Sequence, residues 1–215
     1  LAKGLTSARG ATAGLKRKAG VRLAPEVTRG HLLDATEQLM ITEGYAAVTT
    51  RRVGAAVGLT AALVHYYFPT TDDLLLATYR RAGERRDVVV REALASERPL
   101  RALWDHFTNA TYMALGVEFM ALANHRKAIR KEMTERIEQF RDDLAAAFSP
   151  RLGKGIGRNT PALCAAMLMD GLARSYIQEK MLGISSGHRE TKAFVEDLLE
   201  QIEGKASKRA KAKRG

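Results

Sequence analysis

The sequence predicts an all-α fold of about nine helices, and three observations support that class. Apolar residues recur at three- and four-residue spacing in almost every segment after the first two dozen positions. Threonine, proline and glycine stand where such segments should start and stop. No run approaches the roughly 18 uninterrupted apolar residues of a membrane span, since the best candidate, 162–173, is broken by Asp170.

The first predicted helix carries Leu32, Leu33, Ala35, Leu39 and Met40 as a stripe, and Gly44 stops it. Residues 49–74, TTRRVGAAVGLTAALVHYYFPTTDDL, hold the most informative pattern in the chain. Thr49 or Thr50 can cap a short helix with Val53, Ala56 and Val57 at helical spacing, and Gly58 supplies the left-handed backbone of a sharp turn. Thr60 can cap a second helix from Ala61 to about Tyr66, with Val64 facing inward and Phe68 closing the unit. Helix, tight turn and helix at this spacing is the helix-turn-helix plan, whose second helix lies in the major groove of DNA.

The segment from Thr28 to Leu74 resembles the DNA-binding domain of the TetR family of bacterial transcriptional regulators. The resemblance rests on Gly44-Tyr45, the paired threonines Thr49 and Thr50, the Gly58-Leu59-Thr60 turn and the HYYFPTTDDL stretch from His65 to Leu74. It implies DNA contacts by Thr50, Arg51 and Arg52 on the first helix of the pair, and by Thr60, Ala61 and Leu63 on the second. His65, Tyr66, Tyr67 and Thr71 would face the phosphates. His65 stands where the family usually has tyrosine, Tyr67 where it often has histidine, and Thr71 where a lysine commonly reaches the backbone. The small and apolar surfaces of Ala61 and Leu63 favour thymine methyl contact over bidentate reading of guanine.

Beyond this unit the helical pattern continues. Thr71-Asp72-Asp73 opens a long helix to about Ala95, whose basic run Arg80, Arg81, Arg85 and Arg86 reads as a solvated face. Pro99 begins a helix carrying Leu100, Leu103, Trp104 and Phe107 to about Leu115, Gly116 breaks it, and a short helix runs from Val117 to Asn124. A charged helix spans Arg126 to Phe148. Thr160 caps and Pro161 opens the next, to about Leu182, and a last helix ends near Glu203. The glycines of 153–157 lack the spacing of a phosphate loop and read as a connection.

Charge divides the chain further. The net charge of +11 sits in residues 1–27, which carry +5, and residues 204–215, which carry +6, while the body between them is neutral. Both ends are rich in Gly, Ala, Lys and Arg and poor in large apolar residues, a composition that predicts disorder in isolation. The expected organisation is a basic arm (1–27), a helix-turn-helix unit (28–74), an effector-binding and dimerisation domain (75–203) and a basic tail (204–215). The basic N-terminus is followed by no apolar core, so a secretory leader is not expected, and a single cysteine, Cys164, suits a reducing cytoplasm. Cys164 itself reads as a small buried hydrophobe.

In the resembling family a small molecule binds among the later helices, and a homodimer forms through the last two. The counterparts here are residues 161–182 and 191–202, with small Ala166, Gly171 and Ala173 expected to permit close approach. Trp104, His106, Phe107, Tyr112, Phe119 and His125 are the candidates to line the pocket, and a hydrophobic or aromatic effector is expected. No cofactor or metal is expected, because the five histidines are scattered and no close pair of ligands accompanies His106 or His125. No serine, histidine and acid cluster and no nucleotide loop points to an enzyme. The expected function is a DNA-binding regulator, a repressor released from a palindromic operator by its effector. The alternative is a nonspecific DNA-coating protein using the basic arms.

Overall fold

In the computed structural model, residues 24–152 and 160–212 are described, the side chains of residues 110–112 and 205–212 excepted. The described residues form nine α-helices and one 3-10 turn, and none of these helices is long and apolar enough to cross a membrane. Helix α1, Pro25–Glu43, starts with proline at its first position, where the missing N–H costs nothing. It therefore takes in Pro25, Glu26 and Val27, which the sequence places in the arm; residues 1–23 lie outside the described residues. The 3-10 turn Tyr45–Ala47 leads to α2, Thr50–Ala56, and α3, Ala61–Tyr67. Then come α4 (Thr71–Ala95), α5 (Pro99–Phe107), α6 (Ala110–Ala123), α7 (Lys127–Phe148), α8 (Ala162–Met181) and α9 (His188–Ala212).

Two apolar clusters organise these helices. The first joins Leu32, Leu33, Met40, Val53, Val64 and Phe68 to Leu74 and Tyr79 on α4 and to Phe119, Leu122 and Ile129 further on. Sharing one core, the first three helices are cemented to α4, α6 and α7. The second cluster gathers Leu100, Leu103 and Trp104 of α5 with Phe140 and Leu144 of α7, Ala166 and Ala173 of α8, and Val195 and Leu199 of α9. Glu203, buried on that last helix, ties it across the second cluster. Its carboxylate accepts from the Leu100 N–H at 2.6 Å and the Arg101 N–H at 3.1 Å, taking up donors that the first turn of α5 leaves open.

Several boundaries differ from expectation. The break falls at Thr108-Asn109 rather than at Gly116, which lies inside α6. The Thr108 hydroxyl bonds back to the Trp104 carbonyl at 2.8 Å, and this local bond competes with continuation of α5. Thr160 does not cap α8: Pro161 holds the N-cap position, with no side-chain cap. α9 continues past Glu203 to Ala212, because the alanines, lysines and arginines that follow Gly204 are strong helix formers. The 153–157 connection lies outside the described residues.

Candidate nucleic-acid interface and effector cavity

The helix pair is fixed by local bonds. Thr49 caps α2, its hydroxyl accepting from the Arg52 N–H at 3.2 Å, and Thr60 caps α3 by accepting from the Leu63 N–H at 3.3 Å. Gly58 has φ +69°, the left-handed turn expected of it. Gly54, which the sequence reading passes over, permits the close crossing, since a Cβ there would lie 2.8 Å from the Leu59 carbonyl oxygen and 3.1 Å from Val64. A glycine inside a helical pattern was the available signal. Of the residues at helical spacing, Val53 is buried and Ala56 is exposed, and Gly54 is the other buried residue of α2.

Between the two helices, His65 is clasped. Its Nδ1 lies 3.1 Å from the Pro69 carbonyl, which can only accept, so the proton sits on Nδ1 and Nε2 accepts from the Thr50 hydroxyl at 3.1 Å. Two residues expected at DNA, Thr50 and His65, thus also lock α2 to the end of α3. Arg52 is held by Glu43 at 2.5 Å. Arg51 is exposed and, among the described residues, has no ion pair or hydrogen bond. Ala62, Leu63 and Tyr66 leave the outer face of α3 open, Tyr66 at 78% exposure, and the ring of Tyr66 stands edge-on to Tyr67 at 5.2 Å. Thr71 is the first residue of α4, but the cap is Thr70, which shares a capping box with Asp73.

The arginines of α4 are more than a solvated face: Arg80 and Arg85 are exposed, as expected, but both are ion-paired, and Arg81 and Arg86 are half-buried. Arg81 donates to the Gly30 carbonyl at 3.0 Å, to Asp34 at 2.6 Å and to Glu37 at 3.0 Å, while Arg85 reaches Glu37 at 2.6 Å and Arg80 reaches Glu132 at 3.0 Å. They clamp α4 to α1 and α7. A second tie comes from α6, where the Glu118 carboxylate accepts from the Tyr45 N–H at 2.7 Å, immediately before the helix pair.

Behind these clamps lies a cavity of about 390 Å³, within the range of small-molecule sites. Its wall includes Tyr79, Ala82 and Arg86 of α4, Phe119 and Met120 of α6, and Met133 of α7, and Glu37, Gln38 and Ile41 bring α1 of the helix-turn-helix unit into the same wall. Of the residues expected to line a pocket, His106, Phe107 and Phe119 do so. Trp104 turns into the second cluster, beside Tyr176, because it lies on the opposite side of α5 from His106. His125 is exposed beyond the end of α6, and the Tyr112 side chain lies outside the described residues. Burial, and then the nearby Arg86 charge, lower the pKa of His106 below its ordinary value of 6.5. Burial raises that of Tyr79.

Apart from its cavity residues, α8 carries Leu163, Met167, Leu168 and Leu172 exposed, Leu168 at 65%, and α9 adds Phe194. Ala166 and Ala173, expected at a partner, instead pack inside the chain's own second cluster. Cys164, expected to be buried, is exposed on the same helix. A helix apolar around most of its circumference gives no sign of which stripe faces inward.

Comparison with known proteins agrees with this geometry. The profile of bacterial regulatory proteins of the tetR family matches residues 32–78. The HTH-type transcriptional regulator BetI of Agrobacterium fabrum is 30% identical over 193 residues, covering 80% of this chain and 86% of that protein. The chain belongs to the TetR family of transcriptional regulators. BetI of Rhizobium meliloti is 28% identical over 188 residues, 80% of this chain and 88% of that one. Among solved TetR-like folds, a transcriptional regulator from Saccharomonospora viridis, crystallised in complex with choline, superposes with TM-score 0.69 at 17% identity over 81% of this chain and 96% of its own. A TetR regulator from Haloarcula marismortui gives 0.65 at 22%, over 87% and 98%.

Proposed function

We propose that the chain is a repressor that binds a palindromic operator as a homodimer and lets go when a small molecule fills the cavity behind α4. The observation that carries this reading is the outer face of α3, left open while caps and the Gly54 crossing hold its backbone still. Exposed groups on a rigid helix are what base reading requires. Arg51, without an internal partner, is the strongest candidate for a phosphate or base contact. The exposed apolar residues of α8, with Phe194 of α9, support a two-fold partner, since an apolar surface of this kind marks an interaction site. The choline in the S. viridis protein supports small-molecule occupancy of this fold. Because α1 is part of the cavity wall, a ligand that favours one position of α1 against α4 would change the separation of the two α3 helices.

Fragments selected from genomic DNA supply the operator, and a gel shift then tests the docking. Arg51→Ala is expected to weaken binding by about 1–3 kcal/mol. An unchanged affinity would remove this arrangement. The alternative, DNA coating by the basic ends, rests on the charge of residues 1–27 and 204–215, and it predicts that competitor DNA abolishes binding at physiological salt.

A further inference from the structure

The charges around the cavity are unevenly matched. Its wall holds three guanidinium groups, Arg85, Arg86 and Arg174, and two carboxylates, Glu37 and Asp170. Both carboxylates are already taken, Glu37 by Arg81 and Arg85, and Asp170 by Arg174 one helical turn along α8. Neither is left to balance a bound cation. Arg86 is different: its one ion pair among the described residues is a long one, 3.6 Å to Asp87, and Arg136 holds that same carboxylate more closely at 2.6 Å. Arg86 also lies over the Phe140 ring at 5.6 Å, which positions the guanidinium without neutralising it.

Arg86 stands on the face of α4 that lines the cavity, and it also borders a second, smaller one with Asp87, Arg136 and Phe140. Tyr79, Ala82, Gly83 and Arg86 fall at i, i+3, i+4 and i+7, one face of the helix, and all four line the wall. Ala82 is small, and the space over Gly83 is taken by the Arg136 guanidinium, whose Cζ lies 2.7 Å from where a Cβ would stand. The Tyr79 hydroxyl makes no hydrogen bond among the described residues, and burial keeps it protonated, so it is a donor. Ile41, Phe107, Phe119, Met120, Met133 and Ile137 make much of the remaining wall apolar, and Gln38, His106 and Gln178 are its other polar residues.

We propose that the effector is an amphipathic anion, a carboxylate with an apolar body, whose acid group sits on Arg86 and the Tyr79 hydroxyl while its body fills the space between α6 and α7. This rests on the reading that an effector occupies this cavity. It sets the chain apart from the choline-bound neighbour, because a quaternary ammonium here would face Arg86 with both wall carboxylates already neutralised.

Titration calorimetry on the full chain with four probes tests it: octanoate, octanol and octyltrimethylammonium, which share one tail, and choline. Octanoate is expected to bind at least about tenfold more tightly than the other three. Arg86→Met should weaken octanoate at least about tenfold and leave octanol unchanged, while Arg86→Lys keeps most of the octanoate affinity. If Arg86→Met fails to fold, the head-group series on the unaltered chain decides. Tighter binding of choline or octyltrimethylammonium overturns the proposal, as does octanoate binding indifferent to Arg86→Met, or no binding by any probe. A preference for choline would leave the effector reading intact. Release from the operator is read separately by gel shift, so the two ideas fail on different measurements.

Discussion

The helix-turn-helix unit and the larger helical domain are held together by bonds of very different reach. In the first, Thr49 caps onto Arg52, Thr60 onto Leu63, Thr70 onto Asp73, and Thr50 reaches only as far as His65. In the second, Leu100 and Arg101 bond Glu203, more than 100 residues away, and Arg136 bonds Asp87 across α4 and α7. A reading head specified locally is tied to the larger domain by a shared apolar core and by the longer-range bonds of Arg81, Arg85, Glu118 and Arg126.

The largest expected effect lies on the exposed face of α8. Leu168→Glu places a charge there and should dissociate the proposed dimer, lowering operator affinity by on the order of a hundredfold or more. Sedimentation at micromolar concentration reads the first effect and a gel shift the second, and a variant that remains dimeric would move the interface elsewhere. Next in size, Glu203→Ala strands two N–H groups at the start of α5 and should cost about 2 kcal/mol in denaturant unfolding. With the locally held reading head untouched, operator affinity at temperatures where the variant is folded should not change.

Smaller is the expected effect at the tie itself. Glu118→Ala frees the Tyr45 N–H and should cost about 1 kcal/mol, read as roughly fivefold faster hydrogen exchange at that amide. An exchange rate equal to that of the unaltered chain would mean that α6 does not hold the turn. Smallest is a pH effect. Since the folded state lowers the pKa of His106, the unfolded chain takes up its proton first as pH falls below about 6.5, and stability is lost in that direction. The stability of His106→Gln should fall less steeply between pH 7 and pH 5, and identical slopes would contradict the burial assigned to His106.

The same contrast of reach decides what could be read from the sequence. The capped ends of α2 and α3 and the Gly58 turn were legible because a cap lies three residues from the group it satisfies. Arg81 and Arg85 were assigned to solvent because their acids lie on α1, 44 to 48 residues back, where no local pattern links them. His106 and Phe107 were found as cavity residues while their neighbour Trp104 was misplaced, since spacing marks it as apolar without saying which cluster it fills. Ala166, Ala173 and Cys164 were exchanged between inside and outside for a related reason. On α8 two apolar surfaces compete, and only the packing of α5, α7 and α9 tells them apart.

Hydroxyl-radical footprinting on an operator fragment shows whether a dimer seats its two α3 helices in successive grooves. A dimer placing one α3 in each of two successive major grooves predicts two protected patches on one face of the duplex, centred about one helical turn, roughly 10 base pairs, or a multiple of that apart. Both should be lost together in Leu168→Glu. Uniform protection along the fragment, or a single patch that survives in that variant, would contradict that seating.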